Sequence, residues 1–347
     1  MNVCILINTS CFFLQPSSEG KIVAIPLPFI TVTNDQALRD TEIYSKDILV
    51  RIGLMATTQK YDFAYSFLNS PDYITEENFN EIARSIYTNL NYRVIAFEEF
   101  LNYLWFVKDN SVSGSLALAY AEENIRTLAS LQNNRICTMS DGKRRDVYFS
   151  RADMETVFKI YDKANDIFPK TTVGEVITPI EYDENNKIKT TIIKADISTK
   201  QYSDFNRVQR ALSLLSILRS VAFLPYKLSL YIPILESLFS PSDGELTFKV
   251  SQRVAFYIGE DMTEKKLIFE QVKRVYEIRS RYLHGQPFEK KSLKLDFAVE
   301  SKNMDGILRR VLTKVILYDY AVFIGKSIEE YLNNLVFKED IFWRIVE

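Results

Sequence analysis

The stretch Val275 to Gly285 reads VYEIRSRYLHG and holds His284, the only histidine among 347 residues. Imidazole is the side chain whose ordinary titration lies near neutral pH, so a lone histidine is a candidate proton carrier. Five positions earlier stands Arg279. If the segment is helical, Ile268, Val272, Val275, Arg279 and Tyr282 form one stripe, and a guanidinium occupies an apolar position. Burying it is costly unless it is paired, so either an internal carboxylate holds it or it lines a cleft that receives an anion. The five-residue offset turns His284 about 140° from Arg279 and raises it about 7.5 Å. One regular helix does not bring the two together. They meet only if the helix ends between them, as Gly285 permits, or if a second chain completes the site.

The elements that must hold these residues are legible from hydrophobic period and turn residues. The first forty residues read as short strands, VCILI, KIVAI and FITVT, with SSEGK as a turn. From Asp40 the pattern reads as helix, and Ile74 to Lys108 shows apolar residues every three or four positions behind Thr75, Glu76 and Glu77. NNRICTMSDGKRRDVYFS reads as two strands around Asp141-Gly142, with Lys143, Arg144 and Arg145 as a basic tip; a helix follows from about Ala152 to Asp166. TVGEVITPIEYDENNKIKTTIIKAD reads as a hairpin around DENNK. After the polar ISTKQYSD the texture turns wholly helical, which divides the chain into an N-terminal α+β part, 1–200, and a helical part, 201–347.

In that second part a first helix carries Phe205, Val208, Leu212, Leu215 and Val221. A second begins at Pro225, and LTFKVSQRVAFYIG makes a third. A fourth runs from about Thr263 to His284 with Gly285 as its stop, a fifth from Met304 to Phe323, and Ser327 with Glu330 opens a sixth. Short connections give a compact bundle, and the fold class is mainly α.

Composition narrows the chemistry. Net charge is −2, which excludes a polycation built to coat nucleic acid, but the balance is uneven. Residues 1–202 carry 21 Lys/Arg against 26 Asp/Glu, and residues 203–347 carry 22 against 19. Lys265 to Lys294 alone holds nine basic residues and three acidic ones, which is either a solvated helix face or a field for a polyanion. One histidine with the dispersed Cys4, Cys11 and Cys137 makes no zinc site and no disulfide framework, and suits a cytoplasmic setting. No GxxxxGK or GxGxxG loop occurs. The N-terminal MNVCILINTSCFFLQP lacks a basic start and reads as a buried strand rather than a secretory signal, and no apolar run is long enough to cross a membrane.

The string LESLFSPSDGELTFKVSQRVAFYIGED, a charged stretch and then VYEIRSRYLHG resembles the Apea-like branch of the HEPN superfamily over about residues 203–340. The resemblance implies a HEPN-like bundle whose Arg-x4–6-His motif falls on Arg279 and His284, with Ser280 as the polar residue after the arginine. It further implies that two protomers pack with both motifs lining one cleft, and that RNA is cut without a metal or other cofactor. Several members act as toxins or as anti-phage, abortive-infection effectors. Gln286 stands where some toxins paired with nucleotidyltransferases carry a tyrosine, so that type of control is not implied.

The chemistry agrees with what the chain has. RNA supplies its own nucleophile, the 2′-hydroxyl, and needs a proton shuttle and a cation. The expectation is therefore a homodimeric, metal-independent endoribonuclease. Arg279 holds the phosphate, His284 transfers protons, Ser280 orients one of them, and Lys273, Arg274 and Arg281 attract the RNA backbone. Residues 1–200 would sense a phage-derived trigger, answer to an antitoxin or select the RNA. The competing expectation is a non-catalytic HEPN interaction module in which Arg279 is structural.

Overall fold

A computed structural model describes residues 2–15, 24–26, 30–35, 62–69, 78–121, 126–132, 136–164, 167, 204–240, 246–288 and 295–343. It is mainly α with an N-terminal α/β part. The expected hairpin at 172–196 and the helix start at Thr75 lie outside the described residues.

The first strand, β1 (Asn2–Ser10), is central in an antiparallel six-stranded sheet. On one side it pairs with β5 (Phe63–Asn69), which continues to β4 (Thr31–Thr33) and β3 (Ala24–Pro26). On the other it pairs with β6 (Ser113–Ala121), which continues to β7 (Arg126–Gln132). Ile5 to Thr9 are all buried, so β1 is covered on both faces. A separate parallel pair joins β2 (Phe12–Leu14) to β8 (Val147–Phe149).

Several expectations need correction here. The region after Asp40, read as helix, contains β5, and β6 and β7 were also missed. Around Asp141-Gly142 the described residues form one strand, Val147–Phe149, rather than two. The preceding Thr138 is held instead by the helical part, its amide donating to the Arg219 carbonyl at 2.7 Å and its hydroxyl to the Val221 carbonyl at 2.7 Å.

Helix α1 (Phe79–Val107) packs over β6 and β7 and buries Leu90, Phe97, Leu101 and Leu104, a helical stripe. Helix α2 (Arg151–Ala164) opens on a reciprocal cap. Asp153 N–H donates to the Ser150 hydroxyl, while the Asp153 carboxylate accepts from Ser150 N–H at 2.7 Å.

The helical part contains α3 (Arg207–Ser220), α4 (Leu224–Phe239), α5 (Leu246–Ile258), α6 (Met262–Leu283), α7 (Phe297–Lys314), a π turn (Val315–Asp319), α8 (Tyr320–Ile324) and α9 (Ile328–Trp343). The fifth expected helix thus starts earlier than Met304, where Asp296 caps the amides of Ala298 and Val299, and it breaks at the π turn. Helix α6 lies against α4, α5 and α7.

One hydrophobic core runs through both parts of the chain, from Ile5 to Leu332. A buried polar seam accompanies it. Trp105 donates its indole N–H to Asp305 at 2.8 Å, and Arg309 Nε donates to the Trp105 carbonyl at 2.7 Å. Arg219 donates to Leu101, Asn102 and Asn110, and Lys227 donates to Thr138 Oγ1 and the Leu218 carbonyl, each at 3.1 Å. Burial pushes the Lys227 ammonium down to about 8 and the Asp305 carboxyl up to about 6.

Candidate active site

Helix α6 begins at Asp261, whose carboxylate accepts from Glu264 N–H at 2.8 Å. Its inner stripe is as read from the sequence: Ile268, Val272 and Val275 are buried against the neighbouring helices. Arg279 continues that stripe but is only half-buried, its side chain 30% exposed, where a mostly buried guanidinium was expected. The carboxylate that faces it is Glu236 of α4, with Arg279 Nη1 at 3.4 Å from Glu236 Oε1. Among the described residues Arg279 has no other ion-pair partner, and a guanidinium carries five donors, so capacity for a further anion is left over.

Tyr276, one turn before Arg279 at 6% exposure, completes a small group with Glu236. Among the described residues its hydroxyl is buried with no partner in good hydrogen-bond geometry, yet it lies close enough to feel the carboxylate. Burial first, and then the charge of Glu236, raises the phenol well above its usual range.

The helix stops as its last residues require. Gln286 N–H donates to the Arg281 carbonyl at 2.9 Å and Gly285 N–H to the Tyr282 carbonyl at 3.2 Å, the paired bonds of a Schellman end. Gly285 sits at φ +62°, and a Cβ there would meet none of the described residues within 4 Å. Backbone conformation rather than space therefore calls for glycine. His284, the capping residue, donates its amide N–H to the Ser280 carbonyl at 3.1 Å, and its side chain is exposed.

The sequence-derived residues separate into two groups. Lys273, Glu277, Ser280 and His284 recur at intervals of four, three and four, and all are exposed, so they form the outer face of α6. Arg279 lies on the inner side with Glu236. Ser280 and His284 therefore share a face, while Arg279 and His284 of one chain do not converge. The Ser280 hydroxyl makes no hydrogen bond to the described residues.

Arg274 is less available than expected. Its Nε lies 3.5 Å from Glu300 Oε2 on α7 and its Nη2 donates to Gln271 at 2.5 Å. Lys273 is exposed and Arg281 half-buried.

Sequence reasoning missed four neighbours: Glu236, Tyr276, Phe223 and Tyr226. Glu236 had a signal, being the only charged residue between Lys227 and Asp243 in an apolar run. Phe223 and Tyr226, at the start of α4, place their rings 6.1 Å from the ring of Tyr282. Among the described residues, no three His, Cys, Asp or Glu side chains gather in a way that could hold a metal ion, and no helix is long and apolar enough to cross a membrane.

Comparison of the chain with protein-family models, with curated proteins and with solved structures finds no match.

Proposed function

We propose that this protein is a metal-independent endoribonuclease of the HEPN type, working as a homodimer. The observation that carries the reading is the division of α6. An exposed imidazole stands at the helix end on the same face as Ser280, and a half-open arginine lies about 140° away with donors to spare. One chain offers one proton carrier, while cleavage by the 2′-hydroxyl uses an acid and a base. Two chains across a cleft supply two histidines and two guanidiniums.

In this reading Arg279 leaves or shares Glu236 to grip the scissile phosphate, and His284 moves the proton. Ser280 orients the imidazole or the phosphate, and Lys273 and Arg281 draw in the backbone. Residues 1–200 act as the regulatory or target-selecting part, responding to a phage-derived trigger or an antitoxin, and the cellular outcome is toxicity or abortive infection in the cytoplasm.

The Arg279–Glu236 pair favours a second reading, a non-catalytic HEPN module in which that pair only ties α6 to α4. Overexpression separates the two. A nuclease arrests growth and degrades RNA, and His284→Ala abolishes both; a binding module does neither.

A further inference from the structure

Glu236 of α4 faces two donors from one helix. Tyr276 and Arg279 stand three residues apart on α6, so they are neighbours on its surface, and both approach this carboxylate. They hold it unequally. Arg279 makes one long contact, Nη1 to Oε1 at 3.4 Å, from a half-buried position. Tyr276 is buried, and among the described residues its hydroxyl has no partner in good hydrogen-bond geometry. An unsatisfied buried hydroxyl destabilises a fold. A phenol in that place, where phenylalanine would pack as well, calls for a state in which its bond is made.

Glu236 supplies that state. It lies in the last turn of α4, where the helix's open carbonyls disfavour an anion and no basic residue offsets them. It is also poorly exposed, so water does little to solvate its charge. While Arg279 rests on it, the carboxylate is compensated. When Arg279 turns to a phosphate, the guanidinium is shared between two anions that repel each other, and its hold on Glu236 weakens. The phenol is then the remaining donor in reach among the described residues. Burial, and then the charge of Glu236, keep the phenol protonated, so it has a proton to donate.

We propose that Tyr276 is a positioning residue for Arg279: its hydroxyl takes over Glu236 as the guanidinium swings to the scissile phosphate. This rests on the ribonuclease reading and adds how its arginine is set free. No proton changes hands. Glu236 exchanges an N–H donor for an O–H donor, and the arginine leaves without stranding a charge.

The test is a double-mutant cycle on the full chain, with Tyr276→Phe and Glu236→Gln made singly and together. Three quantities are read: single-turnover RNA cleavage, melting temperature, and anisotropy of a short 2′-O-methyl oligonucleotide of mixed sequence, whose blocked 2′-oxygens prevent cleavage. Tyr276→Phe should slow cleavage about tenfold, the scale of a hydrogen bond to a charged group, and weaken oligonucleotide binding in the same direction. It should melt at the wild-type temperature or slightly above, because a hydroxyl unsatisfied in the resting protein is gone. With Glu236→Gln already in place, no carboxylate remains to receive the bond. There the same change should cost about twofold or less.

Equal losses with and without Glu236 overturn the proposal and make Tyr276 a packing residue. So does a Tyr276→Phe protein that matches the wild type in cleavage and binding, or one that melts lower. If the wild type cleaves RNA, those results leave the nuclease standing. Binding that depends on Tyr276 only while Glu236 is present, by a wild type that cuts no RNA, removes the nuclease and keeps the exchange. A wild type that neither binds nor cleaves overturns both.

Discussion

Arg279 of α6 reaches Glu236 of α4 at 3.4 Å, with the arginine side chain 30% exposed and the glutamate 16%. A pair that long and that open contributes on the order of 1 kcal/mol or less, so it does not by itself justify a guanidinium on an apolar stripe. In the proposed reading a planar two-point contact with phosphate does, and lysine does not reproduce it. Arg279→Lys should lower single-turnover cleavage of RNA more than tenfold, roughly 1.4 kcal/mol, with little change in melting temperature. Arg281→Lys should leave turnover nearly intact. A variant at Arg279 that melts early yet cleaves normally assigns the residue to structure.

Gly285 offers a second test, because its φ of +62° sets where the chain turns after His284. Alanine there meets none of the described residues, so the cost is conformational, about 1–2 kcal/mol. Gly285→Ala should melt a few degrees lower and lose severalfold in turnover as the helix end shifts. Gly285→Asn, which tolerates the left-handed region better, should recover part of both. Thermal melts and cleavage rates of the two proteins check this.

The seam between the two parts of the chain predicts a pH dependence of stability. Burial raises Asp305 from 3.8 to about 6, so between about pH 4 and 6 the folded chain holds a proton that the unfolded chain has released. Stability from this group is therefore full below pH 4 and is lost as pH climbs through 6. Lys227, lowered to about 8, acts in another window. There the unfolded chain binds the extra proton, so stability rises with pH from about 8 to 10.5. Asp305→Asn should flatten the acid limb, by an amount on the order of a few kcal/mol, and leave the alkaline limb. Urea unfolding at several pH values reads both, and parallel curves for variant and wild type would refute the assignment.

The proposed composite site predicts complementation. Arg279→Ala and His284→Ala proteins, each inactive alone, should regain part of the wild-type rate when mixed and allowed to exchange subunits. An active monomer by light scattering would exclude the dimeric arrangement.

How much of this was legible in the sequence follows from how local each signal is. The helical part was read closely, since α3 to α6 carry a 3.6-residue period and Gly285 is a local stop. Strands β5 to β7 were missed because FAYSFLN, SGSLALAYA and RTLASLQ lack strict alternation, and leucine and alanine suit helices as well. Their pairing through β1 spans most of the N-terminal part, which no local window sees. The same holds for the site. Arg279 announced itself as a misplaced charge, whereas its partner Glu236 lies 43 residues away. The aromatic group joins residues near 223 and 282, so only packing reveals it.

The central claim is that His284 transfers a proton while the RNA attacks itself. The most direct measurement is single-turnover cleavage of RNA in EDTA by wild type and His284→Ala, with analysis of the ends produced. The account predicts rapid cleavage by the wild type to 2′,3′-cyclic phosphate ends, and a variant of unchanged melting temperature that is at least a hundredfold slower, the scale of a lost general acid–base group. Equal cleavage by both proteins, or wild-type activity that disappears in EDTA and returns with Mg²⁺, would contradict it.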